Sequence, residues 1–207
     1  MSCEPRASSA WRSRALVALV FTLTAPRGHA ADAASWGVER GDVRVVCPLT
    51  VGGSFEAKTD AIRGTVTLAA SAAVFGGELA VDLSTLDTGI GLRNEHLRRT
   101  YLEVGRGPGF DRAVLSEIRL GDGDPRGVQG KSHFSGTFLL HGTKRPIAGA
   151  ATVRQEGNAV RVEASFPVTV SEFGIEKPQY LGVGVRDQVN VTVMFVAQPS
   201  DGAEATR

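Results

Sequence analysis

The sequence predicts an all-β domain of antiparallel strands, a sandwich or a barrel, and three observations carry that prediction. Period-two alternation of apolar and polar residues recurs along residues 42–198, as in strands with one buried and one wetted face. Glycine-containing turn signals separate these runs in a chain with 25 glycines among 207 residues, and helical spacing occurs in one short stretch only.

Ahead of the domain, Arg6, Arg12 and Arg14 precede an uncharged apolar run over residues 15–25, followed by Gly28-His29-Ala30. This is the layout of a cleavable export signal, with cleavage after Ala30. The run is roughly half the ~20 residues a spanning helix requires, so no permanent membrane span is expected. No cysteine follows the run directly, which argues against a lipid anchor, and Ser13 separates the arginines, so a twin-arginine signal is not supported. The expected location is periplasmic or secreted.

Removing residues 1–30 leaves 177 residues, enough for one core without a second domain. Residues 31–41 read as an extension, 42–198 as the domain and 199–207 as a disordered tail. The signal holds four of the 23 basic and one of the 22 acidic residues, so the mature balance is 19 − 21 = −2. That argues against nucleic acid as a partner and against a membrane surface held by charge. Cys47 alone survives cleavage, so no internal disulfide forms. In Val45-Val46-Cys47 it reads as a buried thiol at a strand end; a reactive thiol or a cross-link between chains is the alternative.

The first strands are expected at 42–47 and 53–58, then where Val66 and Leu68 oppose Thr65 and Thr67, and where Leu79, Val81 and Leu83 oppose Glu78, Ala80 and Asp82. Residues 91–102 then place Leu97 four before Tyr101 and Glu95 four before Arg99, a short amphipathic helix inserted between strands. Gly105-Arg106-Gly107-Pro108-Gly109 is a loop. Strands resume at 114–120, 132–141 and 146–155, with Gly142-Thr143-Lys144 as a hairpin turn and Glu156-Gly157-Asn158 as the next. The strongest alternation follows, with Val160, Val162, Ala164, Phe166, Val168 and Val170 on one face; Pro167 on the other marks a bulge or an edge. Val189, Val191, Val193 and Phe195 give the last strand, for about nine in all.

Motifs for common chemistries are missing. There is no glycine-flanked nucleophilic serine, no phosphate loop and no dinucleotide fingerprint. His96, His133 and His141 lack the spacing of a metal pair; on one strand His133 and His141 stand ~26 Å apart. Neither a metal nor a cofactor is expected, and no residue is assigned a catalytic role. Asp87, Arg93, Glu95, His96 and Arg98 form the one dense polar cluster. A capped, salt-bridged helix is the favoured reading; a base at His96, or a set of donors for a ligand's polar head, are the others.

Three ordered blocks resemble the YceI-like family of periplasmic proteins that bind polyisoprenoid or other lipid-like molecules. The first is Leu86-Asp87-Thr88-Gly89 with Arg93-Asn94-Glu95-His96-Leu97-Arg98 and Tyr101-Leu102-Glu103-Val104; the second runs from Gly136-Thr137-Phe138 through His141-Gly142-Thr143-Lys144-Arg145-Pro146-Ile147. The third is Ser171-Glu172-Phe173-Gly174-Ile175, Pro178, Tyr180-Leu181-Gly182-Val183 and Asp187-Gln188-Val189. The early histidine-containing turn common in the family is replaced by Pro48-Leu49-Thr50-Val51-Gly52-Gly53-Ser54-Phe55, and the aromatic-Pro turn after the helix by Arg106-Gly107-Pro108-Gly109-Phe110.

The resemblance implies a lipocalin-like antiparallel barrel of about eight strands with one short helical insertion and a long apolar cavity, just wide enough for one slim ligand. The expected function is non-covalent sequestration or carriage of an isoprenoid-like lipid, quinone or related amphiphile, with no bond made or broken. Leu97, Tyr101, Phe134, Phe138, Phe166, Phe173, Tyr180 and Leu181 are the expected tail contacts, each of which also reads as ordinary core. Arg93, His96 and Arg98 are the expected head-group contacts. The rival classes are a β-sandwich protein-interaction module and a small-molecule enzyme using His96 or Cys47. The sequence leaves the oligomeric state open, a homodimer through an edge strand included.

Overall fold

The computed structural model describes residues 34–68, 75–121, 130–180 and 183–200; the expected export signal at 1–30 and residues 201–207 of the expected tail lie outside them. Among the described residues twelve strands form: β1 (Ala34–Val38), β2 (Gly41–Pro48), β3 (Ser54–Thr59), β4 (Ile62–Leu68), β5 (Phe75–Asp82), β6 (Arg112–Gly121), β7 (Gly130–Leu140), β8 (Thr143–Glu156), β9 (Ala159–Thr169), β10 (Gln179–Tyr180), β11 (Val183–Gly184) and β12 (Gln188–Pro199).

The first four strands are two arms of one long hairpin. Val43 faces Thr59 in the β2–β3 ladder, and Val38 faces Gly64 in the β1–β4 ladder, so the register runs unbroken across the kinks at 39–40 and 60–61. From this hairpin the chain winds antiparallel through β5, β6, β7, β8 and β9 to β12, which pairs back with both β2 and β1. The result is a closed barrel of eight walls. Closure removes the unpaired edges on which chains aggregate.

The segment assigned to an extension ahead of the domain is therefore part of the wall. Ala34–Val38 zips onto β4 over its whole length and meets β12 at Trp36 and Gly37. Five residues with Ala, Ser and Gly among them give too little alternation to register as a strand. The last strand likewise runs on to Pro199, and the Ser200 N–H donates to the Ser35 carbonyl at 3.0 Å.

Elsewhere the alternation is carried directly into the wall. Val162, Phe166 and Val168 of β9 and Val189, Val191 and Phe195 of β12 are buried, while Arg161, Glu163 and Gln188 are exposed. Apolar inside and polar outside is the reverse of a barrel that spans a membrane. The parity changes once in mid-strand, in β6: Ala113 is inward before a bulge between Ser116 and Arg119, and Ile118 and Leu120 are inward after it. Glu117 takes φ 53° there, one extra residue that re-aims the rest of the strand. Pro167 stands where the β8–β9 ladder has ended, two residues past the Ala150–Ser165 pair, so its missing N–H costs no bond on that side.

Connections alternate between the two ends. The 157–158 turn lies at one, with Gly157 at φ 63° as a tight hairpin requires. The other end carries the 49–53 turn, the 83–111 insertion, the two-residue turn His141-Gly142 and the 170–187 segment. His141 (φ 50°) and Gly142 (φ 73°) both have positive φ there, the twist that suits a two-residue hairpin.

Candidate binding cavity

A cavity of about 220 Å³ runs through the barrel, and the side chains lining it are hydrocarbon except for the Tyr101 phenol and the Cys47 thiol. Its wall follows from the inward parity of every strand. On β9 the lining positions extend from Val162 to Val168, ~20 Å measured along the strand. Small residues at Ala151 and Ala164 leave room among the larger ones. Gly149 is also inward, but no side chain fits: a Cβ there would come within 2.3 Å of the Ser165 carbonyl oxygen and 2.7 Å of the Phe134 ring.

Five of the eight expected tail residues line the cavity: Leu97, Tyr101, Phe134, Phe138 and Phe166. The phenylalanines form an edge-to-face chain, Phe134 to Phe166 at 5.8 Å, Phe166 to Phe138 at 5.7 Å and Phe138 to Phe173 at 5.8 Å between centroids, the favoured geometry of ring quadrupoles. Phe173, 2% exposed, is the end of that chain and stands behind the wall. Tyr180 lies on β10, opposite Val183 of β11, and Leu181 falls outside the described residues. The wall also takes Val43, Phe55, Leu115, Leu120, Val185 and Val191, which are not among the expected contacts. Their signal was the same alternating parity, with no aromatic ring or motif at most of them to single them out.

The inserted segment closes one end. It is an α-helical turn over Gly91–His96 continued by a π-helical turn over Leu97–Tyr101, in which the Leu102 N–H donates to the Leu97 carbonyl at 2.9 Å. The wider turn lets Leu97, Tyr101 and Leu102 all face the cavity. Asn94 ties its start down: its Oδ1 accepts from the Thr88 N–H and hydroxyl, both at 2.7 Å, and its Nδ2 donates to Asp87 at 2.6 Å. Those bonds hold the Asp87 carboxyl below the usual carboxylate range, the Asn94 bond first and the Gly89 N–H second. Lys58 and Asp87 exchange two backbone bonds of 2.8 Å, pinning the insertion to β3.

The three expected head-group residues part company. Arg98 gives Nε and Nη2 to the Leu86 carbonyl at 3.2 and 2.7 Å, a brace within the insertion. His96 is exposed on the helix. Arg93 alone stands at the cavity wall, its guanidinium 4.5 Å over the ring of Phe55 and close enough to Cys47 to lower that thiol's pKa, though burial outweighs it and pushes the thiol up to about 11. A second polar knot ties the insertion to the other loops. The Nδ1 of His141 meets the Phe173 carbonyl at 3.1 Å and its Nε2 meets Glu103 at 3.0 Å, with Arg106 on the same carboxylate at 2.8 Å. A carbonyl can only accept, so Nδ1 carries a proton, and the carboxylate is held below its usual range by Arg106 first and by His141 after it.

Solved structures share this architecture. The crystal structure of BcnA from Burkholderia cenocepacia superposes with a TM-score of 0.63 at 18% identity, covering 76% of this chain and 96% of that one. A polyisoprenoid binding domain from Saccharophagus degradans, implicated in plant cell wall breakdown, gives 0.61 at 16% identity over 81% and 99% of the two chains. A YCEI protein from Campylobacter jejuni gives 0.52 at 13% identity over 68% and 82%. No curated protein matches the sequence significantly. The model of the YceI-like domain matches residues 36–197, most of the chain and every wall of the barrel, and the protein belongs to that family.

Proposed function

We propose that this protein is an exported, non-enzymatic carrier that holds an isoprenoid-like lipid, a quinone or a related amphiphile in the barrel. The observation that carries the reading is the wall: one continuous hydrocarbon surface broken by a single phenol and a single thiol. Such a surface recognises length and slimness, with no polar demand on the buried part of the ligand. Burying ten methylene equivalents stabilises the complex by ~8 kcal/mol before association costs are subtracted. Micromolar affinity thus needs no charged anchor.

Leu97, Tyr101, Phe134, Phe138 and Phe166 meet the tail, Phe173 supports Phe138, and Arg93 meets the polar head. Arg98 and His96 have the weaker claim, the first because its donors are spent on Leu86 and the second because it points outward. A covalent role for the cavity has little to work with: a thiol whose pKa is about 11 is fully protonated at neutral pH, and the thiol is a poor nucleophile. The N-terminal pattern of arginines, apolar run and Gly-His-Ala supports export, and a carrier is useful where lipids must cross water between membranes. The domain named in the Saccharophagus degradans structure supports a prenyl chain as the cargo.

Native mass spectrometry of protein purified from its own compartment, with organic extraction of whatever is bound, tests this directly. A bound species with a prenyl or similar hydrocarbon tail is the expected result. A protein that emerges empty and takes up no prenyl lipid on incubation sinks the reading.

A further inference from the structure

In a chain that is 22% charged, three stretches within the connections at the helix-capped end carry no charge: Leu49-Thr50-Val51-Gly52-Gly53, Thr88-Gly89-Ile90-Gly91-Leu92 and Val183-Gly184. Leu49 packs against the core, but four aliphatic side chains in these stretches are exposed, Val51 69%, Leu92 65%, Ile90 49% and Val183 37%. Among the described residues these are four of the five exposed large hydrophobic side chains; the fifth, Met194, is on the outer wall. Single exposed aliphatics need no explanation, but a group of them at one end of the barrel does.

The connections are held together. The Thr50 N–H donates to the Gly184 carbonyl at 2.9 Å, and the Gly184 N–H donates back to the Thr50 hydroxyl at 3.0 Å. Arg186 Nε donates to the Leu49 carbonyl at 3.1 Å, and the Lys58–Asp87 bridge fixes the second connection to the arm of the first. Behind the aliphatic tips stand two guanidiniums, Arg186 after the third connection and Arg93 after Leu92. The lining residues Cys47, Phe55, Leu97 and Tyr101 lie at this same end, so the cavity reaches the rim.

We propose that this rim docks the barrel end-on onto a phospholipid bilayer, with Val51, Ile90, Leu92 and Val183 entering the interface and Arg93 and Arg186 meeting lipid phosphates. The proposal rests on the carrier reading and adds where the cargo is loaded. A hydrocarbon chain passing from bilayer to cavity through water must expose its surface. An apolar rim pressed against the headgroups removes that exposure, because the path stays apolar throughout. The small aliphatic and glycine tips lack the aromatic anchors of a protein-binding hot spot, whereas aliphatic insertion flanked by cations is what an interface accepts. With a mature balance of −2, the attraction comes from insertion more than from charge.

The test uses the mature chain and liposomes of phosphatidylethanolamine and phosphatidylglycerol. Wild type is expected to float with the vesicles at low salt and to keep most of that binding at high salt, and Val51→Asp with Leu92→Asp is expected to weaken flotation about tenfold. Neither side chain lines the cavity, so the variant should bind a fluorescent geranylgeraniol added in solution within about twofold of wild type and take it up from vesicles about tenfold more slowly. Val51→Ser with Leu92→Ser replaces the acidic pair where a thermal melt shows that pair to be misfolded. A wild type that stays off the vesicles, or a double variant that floats equally well, overturns docking. A wild type that instead forms dimers lost in the variant also overturns it, in favour of self-association. Failure of both proteins to bind the prenyl probe counts against the carrier reading alone, because flotation still decides the docking.

Discussion

Cys47 shows how one side chain reports on the cavity. Its thiol is part of a hydrocarbon wall, and desolvation pushes its pKa from an ordinary 9.0 to about 11 against the opposing pull of Arg93. The folded state therefore favours the neutral thiol more strongly than the unfolded chain does. Its contribution is fully present below pH 9 and is lost as pH rises through 11, a change of about 3 kcal/mol. Urea unfolding of wild type and Cys47→Ala between pH 8 and pH 11 isolates this from other titrations. Wild type is expected to lose stability relative to the variant across that window; parallel curves would show the thiol to be solvated. By the same physics the thiol is expected to react slowly with an alkylating reagent at pH 8 and more slowly still with the cavity filled. The sequence placed Cys47 at the end of an apolar strand, which was legible from Val45 and Val46. That it would edge a cavity was not, since a packed core and a cavity wall share the same alternation.

At the scale of elements, strands that alternate cleanly were legible and strands that do not were missed. Val160 to Val170 and Val189 to Phe195 announce their inward faces residue by residue. Ala34–Val38 does not, and its place is set by two neighbouring ladders over a hundred residues apart in sequence, β4 and β12. The bulge in β6 was equally silent, because a parity change in Ala113, Leu115, Ile118 and Leu120 looks like loss of pattern in a single chain. The polar cluster before the helix was recognised, but its members divide in the fold: Asp87 and Asn94 build the turn, Arg98 braces it, and Arg93 reaches the cavity wall. Asn94→Ala tests that division. It removes three bonds that set the angle of the insertion and touches no cavity residue, so the barrel's thermal midpoint is expected to fall by only ~2–4 °C, the equivalent of about 1 kcal/mol in a domain this size. Affinity for a prenyl probe is expected to fall about tenfold as Leu97 and Tyr101 lose their placement. Unchanged affinity would mean that the insertion is not a wall of the site.

For the whole molecule, the decisive feature is how little chain closes the barrel. β12 pairs with β9 along almost its entire length and with β2 from Asn190 to Phe195, but with β1 at two positions only, Trp36–Pro199 and Gly37–Gln198. β1 in turn covers the outer edge of β4 from Ala34 to Val38. Without it, five backbone positions of β4 and the end of β12 present unpaired donors and acceptors, and Val38, 2% exposed, leaves the core with its apolar surface uncovered. Open edges of that kind pair with other chains. Removing residues 31–38 from a chain that begins at Ala31 is therefore expected to accelerate amide exchange through β4 and the end of β12 while β7, β8 and β9 stay protected, because their ladders are untouched. Light scattering is expected to show a shift to larger species that grows with concentration, and prenyl affinity should fall as water enters through the seam between Val66 and Ala197. If exchange in β4 is as slow in the shortened chain as in the intact one, β1 is dispensable packing and the barrel is closed by the β2–β12 ladder alone.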